Sequence, residues 1–376
     1  MKRLFFIALI VFGLALLAVT LSQGASQSAE SPVQESGPNL LNSLVKDIPS
    51  QVAPISTPVS FTEIFDEDTK EVSSTSTRIL VTGDVLPARE VNNRAAARNN
   101  WNGPYEKTAD RLRAADITFI NLETPLVNGC QRTQTGMIFC GDVRNVQGLQ
   151  FAGVDVASLA NNHALNQGNE GFTETAELLE RSGILPVGDS QQPKTLERNG
   201  TTFAFLAYND VGEQSELLMA AAQPERIRND ILLAKQQADV VILQFHWGEE
   251  YRRLPTWRQQ ELAHFSIDNG AGLVLGNHPH WFQAVEMYKD KLITYSHGNF
   301  VFDQMWSLET RQGVVGEYIF EGSVLVDVIY HPVQIEDYGQ PRWLEGEEKS
   351  QVLEELRRAS LEQRDMKSSG DIPSSM

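Results

Sequence analysis

Two histidines that flank a proline, His278 and His280, follow an apolar run at residues 271–275. The run predicts a buried strand, and Gly276 with Asn277 ends it. The proline keeps His278 out of the helical region and fixes its own φ, so this short loop is stiff. Two imidazoles on such a loop suit a pair of metal ions better than they suit a hydrophobic core.

Polar side chains follow other predicted strands in the same way. Each of them alone has an ordinary explanation as a turn residue, a helix cap or a surface histidine. Together they stand at the carboxyl ends of strands, the usual side for a site in an α/β sheet. Carboxylate, amide oxygen and imidazole are ligands for Zn, Mn or Fe, and two such ions can hold both oxygens of a phosphoryl transfer. In chain order the residues are Asp84, Glu123, Asn162 with His163, His246, and His278 with His280.

Short apolar strands alternate with helical segments, which predicts an α/β fold. Two later strands, at 324–330 and around Val333, have no helix between them and indicate an antiparallel part. The predicted strands of the alternating part are 78–82, 117–121, 156–159, 203–208, 240–245, 271–275 and 292–296. The predicted helices are 104–114, 146–152, 168–182, 224–238 and 256–269.

Composition limits the classes of partner. The chain has 376 residues, 41% of them hydrophobic, which is enough for one large domain or two small ones. Its formal net charge of −18 gives it no general attraction for nucleic acid or for anionic lipid. An anionic substrate would therefore need metal ions or particular arginines to hold it.

The amino-terminal region predicts export. Residues 1–21 have a basic start and an uncharged apolar stretch, which predicts a signal peptide or an N-terminal signal anchor in the membrane. We favour the anchor, with the rest of the chain outside the cytoplasm; a cleaved signal would make the protein secreted. Residues 22–77 are rich in Ser, Gln, Pro and Thr and predict a disordered linker. A domain at 78–344 and a charged helix and tail at 345–376 follow.

The two cysteines, Cys130 and Cys140, stand ten positions apart. In an exported protein this spacing predicts a disulfide that closes a loop. The alternative is two unrelated buried thiols. The pair alone cannot form a zinc site, since no further cysteine completes it.

Six motifs make a family resemblance specific. They occur in one order over residues 78–343 and resemble the bacterial CapA-type proteins of poly-γ-glutamate capsule synthesis. The domain of that family is similar to the calcineurin-like metallophosphatases. The motifs are GDVLPAR (83–89), NLETPL (121–126), SLANNHALNQGNEG (158–171), HWGEEY (246–251), GNHPH (276–280) and GNFVFD (298–303).

The resemblance implies a four-layer α-β-β-α sandwich with two divalent metal ions, Zn, Mn or Fe. It implies that His163 gives a proton to the leaving group and that Arg89 faces the anionic group of the substrate. It also implies metal ligands: Asp84 and His280 for the first ion, Asn162, His246 and His278 for the second, and Glu123 bridging the two.

Three positions depart from the family pattern. Leu86 stands where the phosphatases have a histidine ligand, so one metal position is a ligand short. Asn166 replaces the aspartate that would orient His163 and keep it protonated. His297 stands where the family commonly has leucine, and it is either a replacement ligand or a turn residue.

Three functions remain open from the sequence. One is a metal-dependent hydrolase or transferase, phosphoesterase-like, that acts outside the membrane in capsule or cell-wall biosynthesis. The second is a non-catalytic accessory that binds, exports or anchors an anionic envelope polymer. The third is a structural envelope protein with a vestigial site. The expected partners are an anionic envelope polymer or its lipid-linked precursor, the membrane through the N-terminal helix, and other capsule or cell-wall synthesis proteins.

Overall fold

The computed structural model describes residues 57–65, 73–191, 193–212 and 217–369. These residues form an α/β fold, as predicted. The strands are β1 Thr77–Val85, β2 Ile117–Leu122, β3 Leu126–Val127, β4 Gly141–Asp142, β5 Val156–Ser158, β6 Leu185–Val187, β7 Lys194–Arg198, β8 Thr201–Asn209, β9 Val240–His246, β10 Leu273–Asn277, β11 Val285–Tyr288, β12 Lys291–Thr294, β13 Asn299–Val301, β14 Gln312–Glu321, β15 Val324–Glu336 and β16 Gln340–Trp343. The helices are α1 Arg89–Arg98, α2 Ala109–Arg113, α3 Asn145–Phe151, α4 Gly168–Arg181, α5 Pro224–Ala234, α6 Trp257–Asn269 and α7 Gly346–Ser369.

The strands make two large mixed sheets and the small pair β3–β4. The first sheet has the order β16-β15-β14-β1-β2-β5-β6, and β13 pairs with the end of β1. Its β1, β2, β5 and β6 are parallel, whereas β14, β15 and β16 are antiparallel, as the sequence predicted for this part. The second sheet has the order β11-β12-β10-β9-β8-β7, with β8, β9, β10 and β12 parallel.

The two sheets pack face to face, and β8 shows how the sequence builds this arrangement. Side chains on a strand alternate between its faces. Phe203 and Phe205 point to the core between the sheets, where Phe205 meets Phe119 of β2 with ring centroids 5.3 Å apart. Leu206 and Tyr208 point to the other face, where they share a core with the inner sides of α5 and α6. An apolar strand buried on both faces is therefore covered by a sheet on one side and helices on the other.

Several elements were not predicted from the sequence, and helix α1 and strand β14 are the longest of them; the predicted helix at 104–114 is a 3-10 turn at Gly103–Tyr105 followed by the short helix α2. Helix α1 was not predicted because its sequence, REVNNRAAAR, has no apolar stripe; Val91 and Ala95 alone supply its buried apolar contacts. Strand β14 was not predicted because glycines interrupt its apolar pattern. The glycine at 313 is required by close approach, since a Cβ there would lie 2.1 Å from the carbonyl oxygen of Asn299.

Both ends of the described chain pack against the sheets. Within the predicted linker, residues 57–65 end in a 3-10 turn at Glu63–Phe65 that buries Ile64, and the Val59 N–H donates to the Leu325 carbonyl at 3.0 Å. Helix α7 buries Val352 and Leu356. The predicted signal or anchor at 1–21 lies outside the described residues. Among the residues that are described, no helix has the length and apolar character needed to cross a membrane.

Candidate metal centre

The predicted ligands lie at the carboxyl ends of parallel strands in both sheets. Asp84 of β1 stands opposite Asn121 of β2, and His246 of β9 stands opposite Asn277 of β10. Because the sheets face each other, these two sets of strand ends meet. Contacts between neighbours link all six predicted ligands, which are Asp84, Glu123, Asn162, His246, His278 and His280. Their role as ligands stays a prediction.

Glu123 is the residue of this centre whose surroundings most favour a bound cation. Its side chain is fully buried, and neither carboxylate oxygen has a hydrogen-bond partner. Oε1 lies 3.8 Å from Nε2 of His246 and 3.9 Å from Nε2 of His280. Burial, followed by the negative charges of Asp84 and Glu250, raises the pKa of Glu123 well above its ordinary value. A bound cation would compensate a buried carboxylate in this position.

His246, which lies beside Glu123, contacts an amide and a second histidine. Nε2 of His246 lies 2.9 Å from Oδ1 of Asn162, and the rings of His246 and His278 have centroids 4.8 Å apart. Nδ1 of His278 is buried without a partner. Burial, followed by the charge of neighbouring histidines, lowers the pKa of His246 and lowers that of His278 to about 3. Both rings are therefore neutral at physiological pH, which is the form that binds metal.

Asp84 is as buried as Glu123 but has the opposite environment. Its Oδ1 accepts hydrogen bonds from the amides of Asn121 and Asn277, both at 2.8 Å. Its Oδ2 lies 3.1 Å from Nδ1 of His280 and 3.4 Å from the backbone N–H of His278. Burial raises the pKa of Asp84, but the hydrogen bonds and the charge of His280 outweigh burial, so the net pKa is lowered. The donors hold Asp84 as a carboxylate that orients His280.

The tautomer of His280 follows from its neighbours. The Asn299 side chain donates through Nδ2 to the Thr310 carbonyl at 2.8 Å, so its Oδ1 faces Nδ1 of His280 at 3.0 Å. Because Nδ1 therefore faces two acceptors, Asp84 and Asn299, it carries the hydrogen in the neutral ring. Nε2, on the side of Glu123, is left with its lone pair. A carboxylate that orients a histidine in this manner is common around metal sites.

The backbone of the histidine loop differs from the extended form that the sequence predicted. His278 has φ 98° and His280 has φ 58°, in the left-handed region that residues other than glycine rarely adopt. The centroids of the two rings lie 5.9 Å apart. Strained backbone of this kind is found at functional sites where surrounding contacts hold it in place.

His163, the predicted proton donor, is buried beside the centre. Its Nδ1 lies 3.0 Å from Oδ1 of Asn166, and the same oxygen accepts the Phe139 N–H at 2.7 Å. Burial lowers the pKa of His163, and the hydrogen bond to Asn166 opposes this effect. Asn166 thus orients the ring without adding a negative charge.

Arg89, predicted to face the substrate, has protein partners. Its guanidinium pairs with the carboxylate of Asp303 and lies 4.8 Å from the centroid of the Phe139 ring. Phe139 in turn packs on His163, with ring centroids 4.2 Å apart, so Arg89 lies near the centre. Its contact with a substrate stays a prediction.

Leu86 and His297, the two other departures from the family pattern, each contact protein groups that account for their residue type. Leu86 is fully buried in a small apolar cluster with Phe302 and Ile335. His297 lies 3.2 Å from the Gly276 carbonyl through Nδ1 and 2.9 Å from the Tyr318 hydroxyl through Nε2. With both nitrogens engaged, His297 joins two strands and is not a replacement ligand.

The residues that sequence reasoning missed are mainly amides. Asn121 and Asn277 stand inside the motifs, but their residue type gave no sign that they donate hydrogen bonds to Asp84. Phe139 and Asp303 were also missed as partners of His163 and Arg89. The available signal was position, since each lies within two residues of a predicted site residue or of a cysteine, or inside a motif.

Ligand atoms of Asp84, Glu123 and His246 all lie within 4.8 Å of one another, so this group could hold a metal ion. The orphaned oxygens of Glu123 and the orphaned Nδ1 of His278 fit such an ion. The set is rich in oxygen and imidazole, which suits Zn, Mn or Fe.

Comparison with known proteins gives consistent results. Residues 78–304 match the family described as "Bacterial capsule synthesis protein PGA_cap". The "Capsule biosynthesis protein CapA" of Bacillus anthracis is 28% identical over 281 residues, covering 69% of this chain and 67% of that protein. The "PGA biosynthesis protein CapA" of Bacillus subtilis (strain 168) is 30% identical over 251 residues, covering 63% and 66%. The chain thus spans about two thirds of the length of these relatives.

Two further comparisons are more distant. A "Probable polyglutamine synthesis accessory protein" of Mycobacterium tuberculosis is 27% identical over 248 residues, covering 59% of this chain and 65% of that protein. Among solved structures, the crystal structure of TT1561 of Thermus thermophilus matches with a TM-score of 0.38 and 13% identity, covering 64% of this chain and 93% of that one.

Proposed function

The chain belongs to the family of bacterial capsule synthesis proteins, and on that premise we propose that it is a metal-dependent hydrolase or transferase of capsule polymer biosynthesis. Its chemistry would be phosphoesterase-like, and its substrate an anionic envelope polymer, of the poly-γ-glutamate type, or the lipid-linked precursor of that polymer. Two relatives with similar sequences are named for capsule or PGA biosynthesis.

The observation that carries the proposal is the Glu123 carboxylate. A protein that buries a carboxylate without any hydrogen-bond partner loses stability unless something else compensates the charge. Two imidazole nitrogens, on His246 and His280, lie on the same side of it within 4 Å. An arrangement that is unfavourable for stability alone is expected where the protein binds a cation.

The residues would divide the work as follows. Glu123, Asn162, His246 and His278 would hold one ion, and Asp84 with His280 would contribute to a second. When bound, divalent ions supply positive charge for phosphoryl oxygens and lower the pKa of water. Asn166 fixes Nδ1–H of His163, so a second proton would be held at Nε2, and this is the proton that would pass to the leaving group.

We expect the two metal positions to differ in strength. Leu86 removes a ligand from the position of Asp84 and His280 and packs in an apolar cluster instead. The oxygens of Asp84 are also engaged by hydrogen bonds, whereas both oxygens of Glu123 are free. The position built on Glu123, His246 and His278 should therefore hold its ion more tightly.

Two wider proposals follow from the same premise. The two facing sheets with helices outside support the four-layer α-β-β-α sandwich of the calcineurin-like metallophosphatases. The Cys130–Cys140 disulfide supports a location outside the cytoplasm, where disulfides persist. Attachment to the membrane through the apolar residues near the N-terminus is part of this proposal.

Elemental analysis of the purified protein tests metal binding first. We expect between one and two equivalents of Zn, Mn or Fe, lost when His278 and His280 are both changed to alanine. His264→Ala, which changes a histidine outside the centre, should keep the metal. A wild-type protein without metal, even after reconstitution, would refute the metal-dependent function.

Turnover is tested with a His163→Ala variant on phosphoesters and envelope polymers. If His163 is the proton donor, the variant should retain its metal and lose turnover by about a hundredfold or more. Equal rates in wild type and variant would show that His163 does not transfer the proton.

A second candidate is a non-catalytic accessory that binds, exports or anchors the polymer. Leu86 and Asn166 favour it, because each replaces a residue that the phosphatases use, and one relative is named an accessory protein. For this function we expect polymer binding without turnover, weakened by Arg89→Ala. Partner proteins would be other capsule or cell-wall synthesis proteins.

A further inference from the structure

The loop between Cys130 and Cys140 has one buried residue. Between β3 and β4 the chain has no helix or strand, and residues 131–138 are all exposed. Phe139, next to Cys140, is only 1% exposed. The disulfide joins the two ends of this loop. The loop therefore presents a single aromatic anchor to the body of the protein.

That anchor packs on the predicted proton donor. The ring centroids of Phe139 and His163 are 4.2 Å apart. The Phe139 N–H donates to Oδ1 of Asn166 at 2.7 Å, and its carbonyl accepts from Nε2 of Gln167 at 2.9 Å. Phe139 thus touches His163 directly and through a shared amide.

The shared amide decides the state of the imidazole. The backbone N–H of Phe139 can only donate, so it fixes the oxygen of Asn166 toward itself. That oxygen also lies 3.0 Å from Nδ1 of His163, which must then carry a hydrogen. The loop therefore selects the tautomer in which Nε2 is free for proton exchange.

We propose that the disulfide-closed loop 130–140 positions His163, with Phe139 as the positioning residue. Other contacts hold the loop to α1: Asn93 donates to the Thr133 carbonyl at 2.8 Å, and Arg89 donates to the Gly136 carbonyl at 3.3 Å. The inference rests on the proposed role of His163 in the function above. It adds that reduction of the disulfide would loosen a residue of the reaction without touching the metal ligands.

The tautomer of His163 can be observed without a substrate. In full-length protein labelled with ¹⁵N-histidine, the His163 ring signals are assigned by their loss in His163→Gln. At a pH where the ring is neutral, the wild type should show the Nδ1–H tautomer alone. A Cys130→Ser, Cys140→Ser double variant should show a mixture of tautomers. Phe139→Ala, which removes the buried ring that anchors the loop and so lets the backbone N–H at 139 move away from Asn166, should do the same if the double variant fails to fold.

Ile138→Ser is the matched control, because Ile138 is adjacent in the loop but 71% exposed. It should keep the wild-type spectrum. A wild-type tautomer signature in both the double variant and Phe139→Ala would overturn the proposal.

Metal content and turnover separate this inference from the proposed function. Both loop variants should keep the wild-type metal content. If the wild type hydrolyses a phosphoester, they should lose about tenfold or more in kcat with little change in KM. If the wild type turns over nothing while the tautomer still depends on the loop, the positioning role stands and the phosphoesterase function fails.

Discussion

Replacing Glu123 by leucine should stabilise the metal-free protein. Glu123 is fully buried and its two oxygens have no hydrogen-bond partner. Leaving a buried polar group unsatisfied costs about 1–3 kcal/mol, and more for a charge. Leucine has similar size and no polar atom, so the variant should recover about that amount. For a large domain this corresponds to a rise of about 2–6 °C in melting temperature.

When metal is present, the wild type should be more stable to unfolding than the Glu123→Leu variant. An ion at about 1,000 times its dissociation constant stabilises the protein that binds it by about 4 kcal/mol. The Glu123→Leu variant lacks the shared ligand and should gain much less. Thermal unfolding followed by circular dichroism, once in chelator and once in excess Mn²⁺ or Zn²⁺, measures both orders with the same two proteins.

Asp84→Leu is the matched control, because Asp84 is equally buried but accepts hydrogen bonds from Asn121, Asn277 and His280. Removing one partner of a buried charged pair costs about 3–5 kcal/mol, so this variant should be destabilised in chelator. In chelator, substitution by leucine would then raise the stability at Glu123 and lower it at Asp84. A loss of stability in Glu123→Leu that matches the loss in Asp84→Leu would refute the reasoning, since Glu123 would then have a partner in the metal-free protein.

Two further predictions concern the frame around the centre. Burial raises the pKa of Glu286, but hydrogen bonds from His264 and Lys367 outweigh it and hold the value at about 2, below the ordinary 4.5. Because the unfolded state binds the proton first, this stabilisation is present above pH 4.5 and is lost as the pH falls to 2. Relative to Glu286→Gln, the wild type should lose about 3 kcal/mol of unfolding free energy over that interval, whereas exposed Glu362→Gln should follow the wild type. A Cβ at Gly83 would lie 2.1 Å from a backbone oxygen, so Gly83→Ala should separate β1 from β13 and destabilise the protein by about 1–3 kcal/mol; a wild-type melting temperature would contradict this.

Much of the fold was predictable because its strands are short, apolar and separated by helices of ordinary length. Helix α4 at Gly168–Arg181 and helix α6 at Trp257–Asn269 match the predicted 168–182 and 256–269 closely. Helix α6 has clear signals at both ends, with a capping box at Thr256 and Gln259 and a left-handed Gly270. Helix α1 lacked such signals, and its buried side was set by contacts with distant parts of the chain.

The sequence could predict which residues form the candidate site, but it could not predict the role of each residue. Polar residues at the ends of parallel strands meet wherever the strands share an edge, so the set could be inferred from strand order along the chain. Asp84 and Glu123 look equivalent in the sequence, and both are fully buried carboxylates in the structure. The two differ only in the hydrogen-bond donors that other strands place around them: Asp84 has such donors and Glu123 has none.

A chain of hydrogen-bonded side-chain amides produces this difference between Asp84 and Glu123. The Asn161 side chain donates to the Leu122 carbonyl at 2.9 Å, which fixes its nitrogen, and donates to Oδ1 of Asn121 at 3.2 Å. The nitrogen of Asn121 must then face Asp84, to which it donates at 2.8 Å. Because Leu122 immediately precedes Glu123, the backbone that presents the free carboxylate also starts the chain that engages the other one. The NLETPL and SLANNHALNQGNEG motifs thus act as one unit: they leave Glu123 without a hydrogen-bond donor and give Asp84 the donors that keep it charged beside His280.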